Sequence, residues 1–276
     1  MSPQRGEFQA MFDLSDRVAV VTGGVGILGR HFCAALADHG AHVAVVDLDG
    51  GAADELATEL SETFGVPAIG LGCDVSDQAS VTAMVEEVEA QLGVPHVLHN
   101  NAATKTSDLQ RFFASVEDVP IETWREVMAV NLDGMFLVAR GIGAKMAAAG
   151  RGSIIQTSSI YGMAAPDQRI YEGSEYLDRQ ISTPAAYSAS KAGVVGLSRH
   201  LASYWASEGV RVNTLVPGGV RSGQNDTFVR QYSDRVPLGR MAEPTEITGA
   251  VVFLASDASS YVTGESIAVD GGLLAW

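Results

Sequence analysis

Seven short runs rich in β-branched residues, separated for most of the chain by longer stretches of helical periodicity, limit what this sequence can fold into. The runs are Val18 to Thr22, His42 to Asp47, Ala68 to Cys73, Val94 to Asn100, Ser153 to Ser158, Val210 to Val216 and Ser266 to Val269. Amphipathic or Ala-rich stretches lie between them: Leu28 to His39, Gly51 to Phe64, Gln78 to Leu92, Ile121 to Ala149, Pro184 to Glu208 and Pro244 to Ala255. Strands joined through helices need crossover connections, which make neighbours parallel and cover both faces of the sheet. The pattern predicts an α/β, doubly wound sheet of about seven parallel strands with helices on both faces. No repeat, low-complexity tract or linker divides residues 13–276, read as a single domain. Residues 1–12 carry no signal-peptide pattern and read as a flexible or loosely docked extension.

The formal net charge of -15 argues against a nucleic-acid partner, which needs a basic surface. Apolar runs are short and interrupted, so none reads as a membrane span. A cytoplasmic protein without a membrane partner is the expectation. Cys33 and Cys73 read as buried free thiols of a reducing compartment. Neither they nor the six scattered histidines show metal-ligand spacing, and no metal is expected.

The first strand runs through Thr22-Gly23-Gly24-Val25-Gly26-Ile27-Leu28-Gly29 into a helix. Glycines at such a turn let backbone N–H groups approach a pyrophosphate and bring helix and strand close. Asp47 ends the second strand, where a carboxylate accepts both adenosine ribose hydroxyls and repels a 2′-phosphate. No Arg or Lys adjoins it, so NAD(H) is favoured over NADP(H). Asp74, after the third strand, suits either the adenine edge or a helix cap.

Tyr187 and Lys191 stand four residues apart and share one face of a helix. A nearby ammonium favours the phenolate, which would make Tyr187 a proton-transfer group. The competing account is a packed ring beside a snorkelling lysine.

These pieces, in this order and spacing, resemble the short-chain dehydrogenase/reductase family from Arg17 onward. The match includes Asn100-Asn101-Ala102-Ala103, Asn131-Leu132-Asp133-Gly134, Ser158-Ser159 and Pro217-Gly218-Gly219-Val220. It continues through Phe253 to Gly272, with Tyr261-Val262-Thr263-Gly264 and Asp270-Gly271-Gly272. The resemblance implies a Rossmann-type fold and a catalytic set of Asn131, Ser159, Tyr187 and Lys191. Tyr187 would exchange the proton, Lys191 would lower its pKa and hold the nicotinamide ribose, Ser159 would bind the substrate oxygen, and Asn131 would hold a relay water by distorting its helix. The alternative reading makes Ser158 and Ser159 both turn formers and leaves Asn131 only satisfying backbone groups. The implied cofactor contacts begin with Thr22, Gly23, Gly26, Ile27, Leu28, Gly29 and Asp47. Asp74, Val75, Asn100, Asn101, Ala102 and Ala103 continue the adenosine side; Pro217, Gly218, Val220 and Ser222 join Tyr187 and Lys191 at the nicotinamide. A homotetramer is also implied.

Two departures stand out. Ile27 occupies the place where short-form members more often have their second glycine, Gly26 standing one residue earlier. The interval from Ser159 to Tyr187 is long and includes Asp167, Arg169, Tyr171, Asp178 and Arg179. This insertion is expected at the active-site mouth, where Arg169 or Arg179 might clamp an anion; a solvated loop or a subunit contact is the alternative. Residues 221–240 are expected to fold over substrate as a mobile segment. The sequence thus points to an NAD(H)-dependent oxidoreductase interconverting a secondary alcohol and a ketone on a sugar, sugar acid or polyol. The alternatives are a 3-oxoacyl thioester or hydrophobic-alcohol reductase, for which Phe228, Val229 and Tyr232 speak, and a catalytically silent nucleotide-sensing protein.

Overall fold

The computed structural model describes residues 6–176 and 179–276. Its main sheet comprises β1 (Val18–Thr22), β2 (His42–Asp47), β3 (Ala68–Gly72), β4 (Val97–Asn100), β5 (Gly152–Thr157), β6 (Val210–Pro217) and β7 (Ser266–Val269). The strands lie in the order β3-β2-β1-β4-β5-β6-β7, and every neighbouring pair is parallel. The longer helices are α1 (Ile27–Asp38), α2 (Gly50–Phe64), α3 (Gln78–Leu92), α4 (Ile121–Ala148), α5 (Ala185–Tyr204), α6 (Asp226–Ser233) and α7 (Thr248–Ala255). The doubly wound sheet expected from the sequence is the fold observed.

Alternate strand residues feed two separate cores because side chains on a strand point to opposite faces. Ala19, Val21, Val43 and Val45 pack beneath Phe32 and Leu36 of α1, Leu56 of α2 and Val251 of α7. Val18, Val20, Ala44 and Val46 pack instead beneath Val88 of α3, Ile142 of α4 and Leu201 of α5. Each fully buried Val, Leu, Ile or Phe contributes about 1.5–3 kcal/mol of transfer free energy. Both faces are closed in this way, which explains the near-continuous apolar strands.

By length and composition α4 reaches the range of a membrane-spanning helix, which a reading of interrupted apolar runs does not register. Its apolarity serves the core: Val138, Ala139, Ile142 and Met146 are buried against the sheet. Cys33 and Cys73 are buried free thiols, as expected.

The structure departs from the expected elements where segments are short. β4 starts at Val97, since Pro95 has no N–H to give a ladder. Helical turns at Glu7–Ala10 and Leu109–Phe112 were not expected. In the N-terminal extension the Met11 carbonyl accepts the Ala258 N–H at 3.0 Å. The segment expected to be a mobile cover contains α6, capped by Asn225, whose side chain accepts the Phe228 N–H at 2.9 Å. Tyr232 and Val236 anchor that segment in a third apolar cluster with Ile160, Ile170 and Tyr171 of the insertion.

The insertion is therefore a packed unit and not a solvated loop. The Tyr171 hydroxyl meets the Thr183 hydroxyl at 3.0 Å, and Gln168 accepts the Thr183 N–H at 3.0 Å. A two-residue antiparallel ladder pairs Glu175–Tyr176 with Arg179–Gln180. Polar contacts fasten the unit to the α6 segment: Asn225 donates to the Ser174 hydroxyl (2.9 Å), Gln231 donates to the Glu172 carbonyl (2.6 Å), and Arg235 pairs with Asp167.

Candidate active site

The carboxyl ends of the parallel strands form one edge, and the strand order reverses between β1 and β4. Ligands of open α/β sheets bind at such a reversal. Thr22 fixes it. Its hydroxyl donates to Asn100 Oδ1 at 3.1 Å and accepts the N–H groups of Asn101 (2.9 Å) and Ala102 (3.1 Å). Asn101 donates back to the Thr22 carbonyl at 3.2 Å. Asn100 is buried, and its amide also donates to the Met135 carbonyl at 2.8 Å. Its side chain therefore braces the frame.

The glycine turn is closed tightly enough to demand glycine at both ends. A Cβ on Gly29 would lie 2.0 Å from the Gly23 carbonyl oxygen, and one on Gly23, at φ +65°, would lie 2.9 Å from the Ala102 Cα on the other side. The first turn of α1 has no side-chain cap at Gly26, which leaves its N–H groups to an anion. Ile27 is exposed and Leu28 half-buried at that turn, so the isoleucine in place of glycine leaves the cradle intact. Asp47 Oδ2 accepts the Val25 N–H at 3.1 Å, which sets the carboxylate beside this cradle. The residue after it is the exposed Leu48, not a cation. These residues fit the pyrophosphate and ribose of a dinucleotide.

Other expected cofactor contacts divide by exposure. Asp74 accepts the Ser76 N–H at 2.9 Å and hydroxyl at 2.6 Å, so its carboxylate at least closes a turn. Val75 is buried and abuts Gly134. Ala103 is exposed beyond the Asn101-Ala102 pair. Pro217 ends β6, and the Gly218 N–H bonds the Val269 carbonyl at 2.9 Å. The Val220 carbonyl and Ser222 hydroxyl both accept from Gln224, at 2.9 and 2.8 Å.

Tyr187 and Lys191 lie on the first two turns of α5, as their spacing requires. The Ser159 hydroxyl accepts the Tyr161 N–H at 3.2 Å and lies close enough to the Tyr187 phenol to favour its ionised form. Ser158 is committed elsewhere: its hydroxyl donates to the Lys191 carbonyl at 2.6 Å. Lys191 Nζ donates to the Thr157 carbonyl at 2.9 Å and stands 5.9 Å from the centre of the Tyr187 ring.

Burial raises the Tyr187 pKa, and the nearby Ser159 hydroxyl offsets part of that rise. The expected lowering by Lys191 is not seen. Desolvation of the ring outweighs an ammonium tied to a carbonyl, and burial brings the ammonium itself down to about 8.

Asn131 lies within a π-helical segment, Ala129–Gly134, of α4. Its Oδ1 accepts the Thr104 N–H at 2.8 Å, and among the described residues its side chain makes no hydrogen bond to Lys191. The expected helix distortion is present. Among the described residues no three His, Cys, Asp or Glu side chains are placed to hold a metal.

Above Tyr187 opens a cleft of about 430 Å³ lined by Lys105, Phe112, Tyr161, Tyr171, Gln224 and Phe228, among others. The insertion forms part of its wall, as expected from its position in the sequence. Arg169 does not. It is bound to Asp167 at 2.6 Å and faces a different surface, so it clamps nothing in this cleft. Asp178 and the side chain of Arg179 lie outside the described residues. Lys105, Phe112 and Phe113 were missed by sequence reasoning because they follow the Asn101-Ala102-Ala103 piece in a stretch without periodicity.

A family model described as enoyl-(acyl carrier protein) reductase matches residues 26–274. The chain is 36% identical to D-threitol dehydrogenase of Mycolicibacterium smegmatis, over 95% of this chain and 94% of that one. The chain belongs to the short-chain dehydrogenase/reductase family. Within that family it is also 34% identical to galactitol 2-dehydrogenase (L-tagatose-forming) of Cereibacter sphaeroides, over 98% of this chain and all of that one. Among solved members, a gluconate 5-dehydrogenase from Burkholderia cenocepacia in complex with NADP and tartrate superposes with a TM-score of 0.85. That structure is 31% identical and covers 96% of this chain and 98% of its own. As a short-chain dehydrogenase/reductase, this protein is an oxidoreductase that interconverts a CH–OH group and a carbonyl with a nicotinamide dinucleotide.

Proposed function

We propose that the protein is an NAD(H)-dependent dehydrogenase of a polyhydroxylated substrate: a polyol, sugar or sugar acid. The observation that carries the reading is the Tyr187 phenol, with Ser159 beside it, at a cleft whose walls mix aromatic rings with hydroxyl and amide groups. Aromatic faces take the C–H surfaces of a sugar chain while the polar groups take its hydroxyls. The relatives acting on threitol, galactitol and gluconate support it.

In this reading Ser159 donates to the substrate oxygen and holds it against Tyr187. Tyr187 takes the hydroxyl proton in oxidation and returns it in reduction. Lys191 holds the ribose and, once its ammonium is near the phenol, favours the phenolate. Asn131 keeps the adjoining loop and a relay water in place. The bound nicotinamide supplies the hydride acceptor or donor. Asp47 favours NAD(H), because a 2′-phosphate at that ribose would meet a carboxylate and no cation. A cytoplasmic homotetramer and a single domain over residues 13–276 complete the proposal.

The test is nicotinamide reduction against polyols, aldoses, sugar acids and hydroxyacids, with NAD and NADP in parallel and Tyr187→Phe as control. Turnover of a polyhydroxylated compound with NAD is the expected result; turnover confined to acyl thioesters or hydrophobic alcohols would overturn it. That second reading draws on Phe112, Phe113, Ile181 and Phe228 in the same cleft.

A further inference from the structure

The sequence contains three lysines. Lys145 is paired with Glu89 at 2.7 Å, and Lys191 is buried beside Tyr187. Lys105 is the third. It is exposed, lines the cleft above Tyr187, and has no hydrogen-bond or ionic partner among the described residues. Among the described residues, one other lining residue, Glu175 of the insertion, carries a full charge at neutral pH.

The backbone around Lys105 is held in place at some cost. Thr106 adopts φ +66°, an outlier for a β-branched residue, and its N–H bonds the Thr104 hydroxyl at 2.9 Å. Thr104 is in turn fixed by Asn131 through its N–H, at 2.8 Å. Lys105 thus sits between two anchored threonines on a strained turn, and strain of this kind collects where a side chain must be aimed. The chain as a whole carries a net charge of -15, which repels anions from its surface. An unpaired cation at the cleft is the local reversal that an anionic ligand requires.

We infer that Lys105 receives the anionic end of the substrate, which is a polyhydroxylated chain ending in a carboxylate or a phosphate ester, not a neutral polyol. The inference rests on the dehydrogenase reading above and narrows its substrate class. Glu175, contributed by the insertion, accepts hydroxyls of the uncharged portion and turns away a second anion. One charged terminus and one hydroxylated terminus then fix which carbon faces Tyr187 and Ser159.

The test compares three substrate sets of equal chain length with NAD: aldonates, alditol phosphates and alditols. It uses the wild type, Lys105→Met, which keeps the aliphatic stem, and Lys105→Arg. The wild type should prefer one anionic set over the alditols. Lys105→Met should raise KM for that set by about tenfold to a hundredfold, the range for losing a charge-assisted hydrogen bond, with a smaller change in kcat. Its KM for alditols should stay constant, and Lys105→Arg should restore much of the anion preference. Added salt should raise the wild-type KM for the anion and leave that of Lys105→Met unmoved. Preference for the aldonate or for the phosphate assigns the head group. Alditols turned over as well as either anion, or equal effects of Lys105→Met on charged and neutral substrates, would overturn the inference and leave the polyol reading standing. Turnover of none of the three sets, nor of aldoses, by protein that still binds NAD would overturn both.

Discussion

Asn131 Oδ1 accepts the Thr104 backbone N–H at 2.8 Å, which ties the π-helical turn of α4 to the loop that leaves β4. The residue on the distorted helix and the wall of the cleft are therefore one mechanical connection. Asn131→Ala leaves that N–H without its acceptor, at a cost of about 1–3 kcal/mol. Turnover should fall, together with the thermal midpoint. Asn131→Asp keeps an acceptor for Thr104 and should preserve the midpoint better than Ala, as differential scanning calorimetry would record.

Tyr187→Phe removes the proton-transfer hydroxyl and keeps the ring. The expected loss in kcat is about 10²–10⁴-fold, the usual contribution of a positioned acid or base. Dinucleotide affinity by fluorescence titration should remain close to wild type. A variant that kept its turnover would remove Tyr187 from the mechanism.

The proposed preference for NAD(H) rests on Asp47. Asp47→Ser with Leu48→Arg takes away the carboxylate and puts a cation where the exposed Leu48 now stands. The ratio of kcat/KM for NAD over NADP should fall and can invert. An unchanged ratio would show that the ribose is read elsewhere.

Gly29→Ala places a methyl group 2.0 Å from the Gly23 oxygen, so the turn must open. Overpacking of this kind costs about 1–3 kcal/mol or more. Dinucleotide binding should be lost along with stability. Gly26→Ala, whose Cβ would meet only the Gly23 oxygen at 3.2 Å, should be far milder.

His99 gives the stability a pH dependence. It is fully buried against Phe32, with Nε2 2.9 Å from the Thr157 hydroxyl, and burial lowers its pKa to about 3. The unfolded chain takes up this proton as pH falls through about 6.5, while the folded one does not until near 3. Folding stability should decline between those values by up to about 1.4 kcal/mol per pH unit from this group. His99→Gln should flatten that part of the profile in urea titrations at pH 4 to 7.

The parallel sheet, the two-sided core and the strand ends were legible in the sequence because each rests on a local pattern. β-branched runs and helical periods repeat over five residues or more, and Gly29, Asp47 and the Tyr187–Lys191 spacing belong to the turns those patterns place. The π-helical turn at Asn131 was legible through family resemblance alone. What stayed hidden depends on contacts distant in the chain. α6 is eight residues long and is stabilised by Tyr232 in a cluster that draws Ile160, Ile170 and Tyr171 from sixty or more residues earlier. The pKa of Tyr187 depends on how deeply α5 sits, which no spacing reveals. The exception is local: Asp167 holds Arg169 from two residues away, a pairing that side-chain rotamers decide and residue types alone do not fix.

The joints between the insertion and the α6 segment bear on how this cleft can change. Asp167, Glu172 and Ser174 meet Arg235, Gln231 and Asn225 across more than fifty residues of sequence. A loop transplanted from a relative into residues 160–186 would arrive without its matching partners and find the wrong sockets. Substrate preference in this scaffold is accordingly a two-part inheritance, and redesign has to exchange both parts at once.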